Sequence, residues 1–272
     1  MVPQKESHWF KALKEERSKS GNQIEPVSRR SEYWRKSDLA ILERDLAPIP
    51  SQPNVGAGFV FLDESSIVMT GSEVLDNRLE KEKKNTNFKP FHLKSIVSDE
   101  HSKLRSFIGS VEKKSQKLVP RPLALDNVLN ASNGLVFIAE GLNENPIYVE
   151  NQISVSEENK YLRNFVKLES GASLTIVESG DNSFSKNIMT EFYISKGAKL
   201  NYINLTNSDN KCPKIDSIFC DIEEEAKFNY LSLSLNPKAS RSEIEVHLSG
   251  RGSSVSISNI CLINRDNHTN DE

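Results

Sequence analysis

Beyond residue 125 the chain is written in short runs where apolar and polar residues alternate, separated by Gly, Asn and Ser. Alternation at period two sends one row of side chains to one face of a strand, so each run predicts a β-strand. The runs also recur. GASLTIVES, GAKLNYINL and EAKFNYLSL place an Ala followed two residues later by Leu or Phe at Ala172, Ala198 and Ala226, and GSSVSISNI offers Ser253 and Val255. The steps are 26, 28 and 27 residues. Between these units lies a second alternating run: Ile188, Thr190, Phe192 and Ile194; then Ile218, Cys220 and Ile222; then Ile244, Val246 and Leu248. Each repeat therefore holds two strands. One repeat cannot bury its apolar row alone, whereas stacked repeats join the rows into a continuous core. The fold predicted is mainly β, a partial parallel β-helix. An antiparallel sandwich also spaces strands this closely, but it needs no fixed longer period.

Ahead of residue 120 the pattern is different. Trp9, Phe10 and Leu13 form an apolar stripe amid Lys and Glu, and Tyr33, Trp34, Leu39, Leu42 and Leu46 continue it after a break at Gly21 and Pro26. These predict helices. APIPSQPNVGAG (47–58) excludes a regular helix, and FVFLDESSIVMTG reads as a strand pair or a strand and turn. Asn77 to Lys117 is locally basic, with eleven Lys/Arg against five Asp/Glu. We read it as a solvated helical surface with a loop around Asn85 to Pro90, an acidic or phosphate contact being the alternative. Ser98, Asp99 and Glu100 precede Leu104, Phe107 and Ile108, which predicts a capped helix there. The chain thus divides into a smaller α-helical N-terminal region with a short strand segment, 1–120, and a β-helix core, 121–272.

Composition changes little in this picture. The 272 residues carry 35 basic and 38 acidic side chains, a net charge of −3, which offers no broad attraction to nucleic acid. No signal-type segment and no run of apolar residues long enough to span a bilayer are present, and three widely spaced cysteines point to a reducing cytoplasm. Matches to the glycosylation pattern at Asn130, Asn204 and Asn267 carry no weight there.

Candidate chemistry is sparse. No phosphate-cradling loop, nucleophile elbow or HExxH spacing occurs, and His8, His92, His101, His247 and His268 lie near no paired cysteines. Cys220 in SIFCDI and Cys261 in SNICLIN read as small buried apolar groups, and Cys212 sits beside Pro213 in a Lys-containing loop. Asp266 two residues before His268 could orient an imidazole, but a polar C-terminus explains it as well. His247 lies opposite Val246 and Leu248 in strand phase, towards solvent, and the acidic run Asp221 to Glu225 reads as a solvated turn. No residue is given a catalytic, cofactor-binding or metal-ligating role.

Several stretches carry a family resemblance. RRSEYWRKSDL (29–39) resembles the Arg-x-Glu-x-Trp-Lys-Tyr-Thr-Asp-Leu segment of the SufD type within the SufB/SufD scaffold family of iron–sulfur cluster assembly, with Trp34, Asp38 and Leu39 matching and Lys36 and Ser37 departing. LDNVLNASNGLVFIAEG (125–141) is similar to the segment leading into that family's β-helix. YLRNFVKLESGASLTIVES (161–179), NIMTEFYISKGAKLNYINL (187–205) and SRSEIEVHLSGRGSSVSISNICLINRDNHT (240–269) resemble its consecutive rungs. The resemblance implies a noncatalytic scaffold that partners a SufB-like subunit and the ABC-type ATPase SufC, with a cluster assembled by the complete complex and none bound by this chain alone. It also implies a chain truncated before the later rungs and the C-terminal helical domain, so the family's cluster-related Cys and His roles find no matching positions here. A carbohydrate-acting β-helix enzyme and a β-solenoid binding module unrelated to clusters are the rival readings. The first would need acidic and basic groups converging on one exposed sheet; the second would be indifferent to SufB and SufC.

Overall fold

The computed structural model describes residues 6–21, 67–70, 73–76, 87–119, 121–151, 161–181, 186–207, 214–235, 239–263 and 268–271. In chain order the elements are α1 (His8–Gly21), β1 (Ile67–Thr70), β2 (Glu73–Asp76), β3 (Phe88–His92), α2 (Leu93–Val97), α3 (Ser110–Gln116) and α4 (Pro122–Asn130). The rungs follow: β4 (Leu135–Ala139), β5 (Ile147–Asn151), β6 (Tyr161–Leu168), β7 (Ser173–Asp181), β8 (Lys186–Ile194), β9 (Lys199–Asn207), β10 (Lys214–Ile222), β11 (Lys227–Leu235), β12 (Ala239–Leu248), β13 (Ser254–Leu262) and β14 (His268–Asp271).

The repeat becomes a parallel β-solenoid of about four turns. From β4 onward odd strands stack into one sheet, β13-β11-β9-β7-β5-β1-β2, and even strands into the other, β14-β12-β10-β8-β6-β4-β3, with β1 and β2 closing the first and β3 the second. The recurring units fall in register. Leu174, Leu200, Phe228 and Val255 are neighbours on β7, β9, β11 and β13, and Phe192, Cys220 and Val246 are neighbours on β8, β10 and β12. Their side chains meet between the sheets. Phe192 lies 5.0 Å from Tyr202 and 5.2 Å from Phe228, ring centre to ring centre, and Tyr202 stacks on Tyr230 at 5.6 Å. Towards the other end of the rungs the interior turns polar: the Tyr202 hydroxyl donates to Glu178 at 2.5 Å, and Lys214 pairs with Asp216 at 2.6 Å.

The repeated Ala sits at the corner, and all three copies are fully buried. Each corner stacks on the next: Lys199 N–H donates to Ala172 C=O and Lys227 N–H to Ala198 C=O, both at 2.8 Å. The residue before the Ala must adopt a left-handed backbone. Gly171 and Gly197 do so at φ of 72° and 69°, but in the third corner the position is Glu225, at φ 55°. A side chain there costs about 1–2 kcal/mol, and the extra unfolded-state freedom of glycine returns part of that. We therefore expect Glu225→Gly to stabilise the chain by about 0.5–1 kcal/mol, read as a higher urea midpoint at unchanged slope. An unchanged or lower midpoint would show that the Glu225 side chain contributes more than its backbone strain.

Three local expectations are corrected. The loop expected around Asn85 to Pro90 is in its described part a strand: β3 pairs antiparallel with β4, with Phe88 and Phe137 in ring contact at 5.2 Å. The capped helix expected after Ser98 is a string of turns closed by short-range hydrogen bonds, such as Arg105 N–H to Ser102 C=O and Phe107 N–H to Leu104 C=O. Leu104 and Ile108 are buried without a helix, since burial against Phe10 and Phe165 needs only that they point inward. Past residue 125, where β runs were expected, the chain first completes α4 to Asn130, a helix that carries Pro122 in its first turn, where a missing N–H leaves no helical bond unmade. Of FVFLDESSIVMTG (59–71), read as a strand pair or a strand and turn, residues 67–70 are described and form β1, which pairs antiparallel with β2 beyond that stretch. Residues 22–66, with the apolar positions from Tyr33 to Leu46, lie outside the described residues.

Candidate functional site

The outward side of the even-strand sheet is where the chain concentrates buried charge. Strand phase turns Arg163, Phe165 and Lys167 of β6, Met189, Glu191 and Tyr193 of β8, Ser217, Phe219 and Asp221 of β10, and Arg241, Glu243, Glu245 and His247 of β12 to this side. The helices α1 to α4 lie over it. Phe10, Leu104, Ile108 and Phe165 form one apolar cluster, and Val111, Ala124, Val128, Met189 and Phe219 another.

At the centre, Arg163 and Glu191 are both essentially inaccessible, and Arg163 Nη2 donates to Glu191 Oε1 at 2.8 Å. The Gly109 N–H donates to both Glu191 oxygens, at 3.1 and 2.9 Å, while its carbonyl accepts from Arg17 Nη2 at 2.8 Å. Arg17 Nε also pairs with buried Glu112 at 2.7 Å. One residue thus ties α1, α3 and two rungs together. Only a left-handed residue fits: Gly109 has φ 80°, and a Cβ there would meet Leu13 Cδ1 at 2.8 Å and Arg163 Nη2 at 3.0 Å. Burial raises the Glu112 carboxyl above its ordinary range, with Arg17 pulling it back. Asn127 of α4 adds a neutral fastener, donating to the carbonyls of Leu162 at 3.0 Å and Asn187 at 2.8 Å.

Further along the stack, Ser115 Oγ and His247 Nε2 are 2.8 Å apart, and Lys114 Nζ reaches Ser249 Oγ at 2.7 Å and Asp221 at 3.2 Å. His247 is thus turned away from the core as expected, but towards α3 rather than solvent: its side chain is 9% exposed. Burial and the Lys114 charge lower its pKa, while burial raises the Glu245 carboxyl. The serine–histidine pair with Asp221 nearby has the composition of a hydrolytic relay, yet Ser115 is fully buried and no substrate reaches it.

The other expected positions come to rest as packing or surface pairing. Cys220 lies inside the solenoid, and burial lifts its thiol well above the ordinary range, which disfavours a thiolate. Cys261 is half-buried on β13, and Cys212 and Asp266 lie outside the described residues. His268 begins β14, whose four residues pair with Ala239–Ser242. The acidic run is engaged rather than merely solvated: Asp221 takes Lys114, Glu223 accepts the Tyr193 hydroxyl at 2.7 Å, and Glu224 takes Lys196. Part of the basic segment is likewise used within the chain, with Lys89 on Glu140 and Lys113 on Glu16. Among the described residues no group of three His, Cys, Asp or Glu could hold a metal ion, and no helix is long and apolar enough to cross a membrane.

Residues 151–272 match the family model "SUF system FeS cluster assembly, SufBD core domain". No curated protein matches the chain. The matched span holds the rungs from the end of β5 onward, a little under half of the chain.

Proposed function

We propose that this chain is a SufD-type scaffold component of iron–sulfur cluster assembly, acting without catalysis of its own and working in the cytoplasm with a SufB-like subunit and the SufC ATPase. The observation that carries the reading is the coincidence of the SufBD core match with the stacked rungs. The likeness of residues 29–39 to the SufD segment supports the finer assignment, through Trp34, Asp38 and Leu39.

The cluster is cargo in this reading. The chain contributes shape and mechanics to its assembly. Parallel rungs in unbroken register, with the helices fastened to their outer side by Gly109 and Asn127, make a body that an ATPase could move as a unit.

The test is co-expression of the tagged chain with the SufB-like and SufC proteins of the same organism, followed by affinity capture and size-exclusion chromatography. Co-elution with either one is the expected result. A chain that elutes alone in the presence of both would overturn the partner assignment and leave a β-solenoid binding module unrelated to clusters.

A further inference from the structure

The join between the helices and the even-strand sheet changes character along the stack. Over β8 and β10 it is anchored by carbon, with Val111 of α3 in the cluster of Met189 and Phe219. The described outward row of β12 is Arg241, Glu243, Glu245 and His247, and none of these side chains is apolar. What reaches β12 and its following turn from Ser110–Arg121 is hydroxyl and charge. Ser115 meets His247 at 2.8 Å, Lys114 meets Ser249 at 2.7 Å, and Arg121 approaches Glu243 at 3.7 Å and Glu245 at 3.9 Å. Beneath them Glu243 Oε2 and Ser217 Oγ are buried with no hydrogen-bond partner among the described residues. Such a layer sits near energetic balance, because the attraction between its charges is offset by the water they gave up. At its near end the segment is pinned through Gly109 to Glu191 and Arg17.

We propose that Ser110–Arg121 is an electrostatic strap, fixed at Gly109 and Val111 and fastened across β12 by polar contacts alone, which lifts from β12 while the rest of the helical layer stays docked. Two of its cations face an acidic row: Lys114 meets Asp221, and Arg121 approaches Glu245 and Glu243, the latter also paired with Arg241 of the same strand. Lifting it uncovers that row, so the strap holds the place that a basic segment of a partner would take.

Three side chains of this chain make the test site-specific. His247 reports the strap, His8, at 97% exposure, is an internal standard, and Cys220 in the core reports global opening. The full chain is treated with diethyl pyrocarbonate and a thiol reagent, and the labelled sites are counted by mass spectrometry. Raising sodium chloride from about 50 to about 500 mM screens the pairs, and labelling of His247 relative to His8 then rises about fivefold while Cys220 stays unreactive. Lys114→Ala, and independently Asp221→Asn, give the high ratio already at low salt. A ratio that ignores salt, or that rises only together with Cys220, overturns the strap.

Discussion

Replacing Glu191 by alanine lowers the stability of the chain by about 3–5 kcal/mol, the usual consequence of leaving one member of a buried ion pair behind. Among the described residues the Arg163 guanidinium has Nε and Nη1 buried without hydrogen-bond partners and Glu191 as its ion-pair partner, and the same carboxylate is the acceptor for Gly109 N–H. Urea denaturation followed by far-ultraviolet circular dichroism measures the loss. The double variant Arg163→Met, Glu191→Leu is the control, because an apolar pair of similar volume carries no desolvation penalty. It recovers more than half of the loss; the remainder reflects the orphaned Gly109 amide. If Glu191→Ala unfolds at the same urea concentration as the parent chain, the pair is solvated and the helices do not seal it.

The second large effect lies between the sheets. Phe192→Ala removes a fully buried ring that touches Tyr202 and Phe228 on the opposite sheet, and costs about 3–5 kcal/mol through lost burial and the cavity left behind. A solenoid passes most of its stability between adjacent rungs, so this loss weakens the stack at its middle. Leu248→Ala is the comparison. It has the same inward phase on β12 but is half exposed, so the change costs under about 1 kcal/mol. Equal losses for the two would mean that the interior around Phe192 is loosely packed.

These two sites were not equally legible. The row containing Phe192 follows from the chain itself: Ala172, Ala198 and Ala226 mark the corners, Phe192 and Cys220 each stand six residues before the next corner, and Val246 stands seven before Ser253. Near-constant spacing places such residues in register whatever lies outside the solenoid. Nothing local distinguishes Arg163 and Glu191 from the exposed charges beside them. Their partners are 28 residues apart, and the atoms that complete the site come from Gly109 and, through Arg17 and Glu112, from a pair 95 residues apart.

The same division explains the misplaced expectations. Alternation put His247 on the side opposite Val246, which is correct, but whether that side meets water depends on what packs over it. Phe88 and Phe91 lie in a charged stretch that carries no strand signal of its own, and β3 forms because β4 leaves an edge free to pair. Leu104 and Ile108 have helical spacing, yet turns suffice once Phe10 and Phe165 provide a surface to bury them. The sequence by itself determined the repeat, the inward rows and the solenoid, because these are nearest-neighbour properties of the chain. The tertiary structure alone decided which charges are buried, since burial is set by distant elements meeting at the outward side of a sheet.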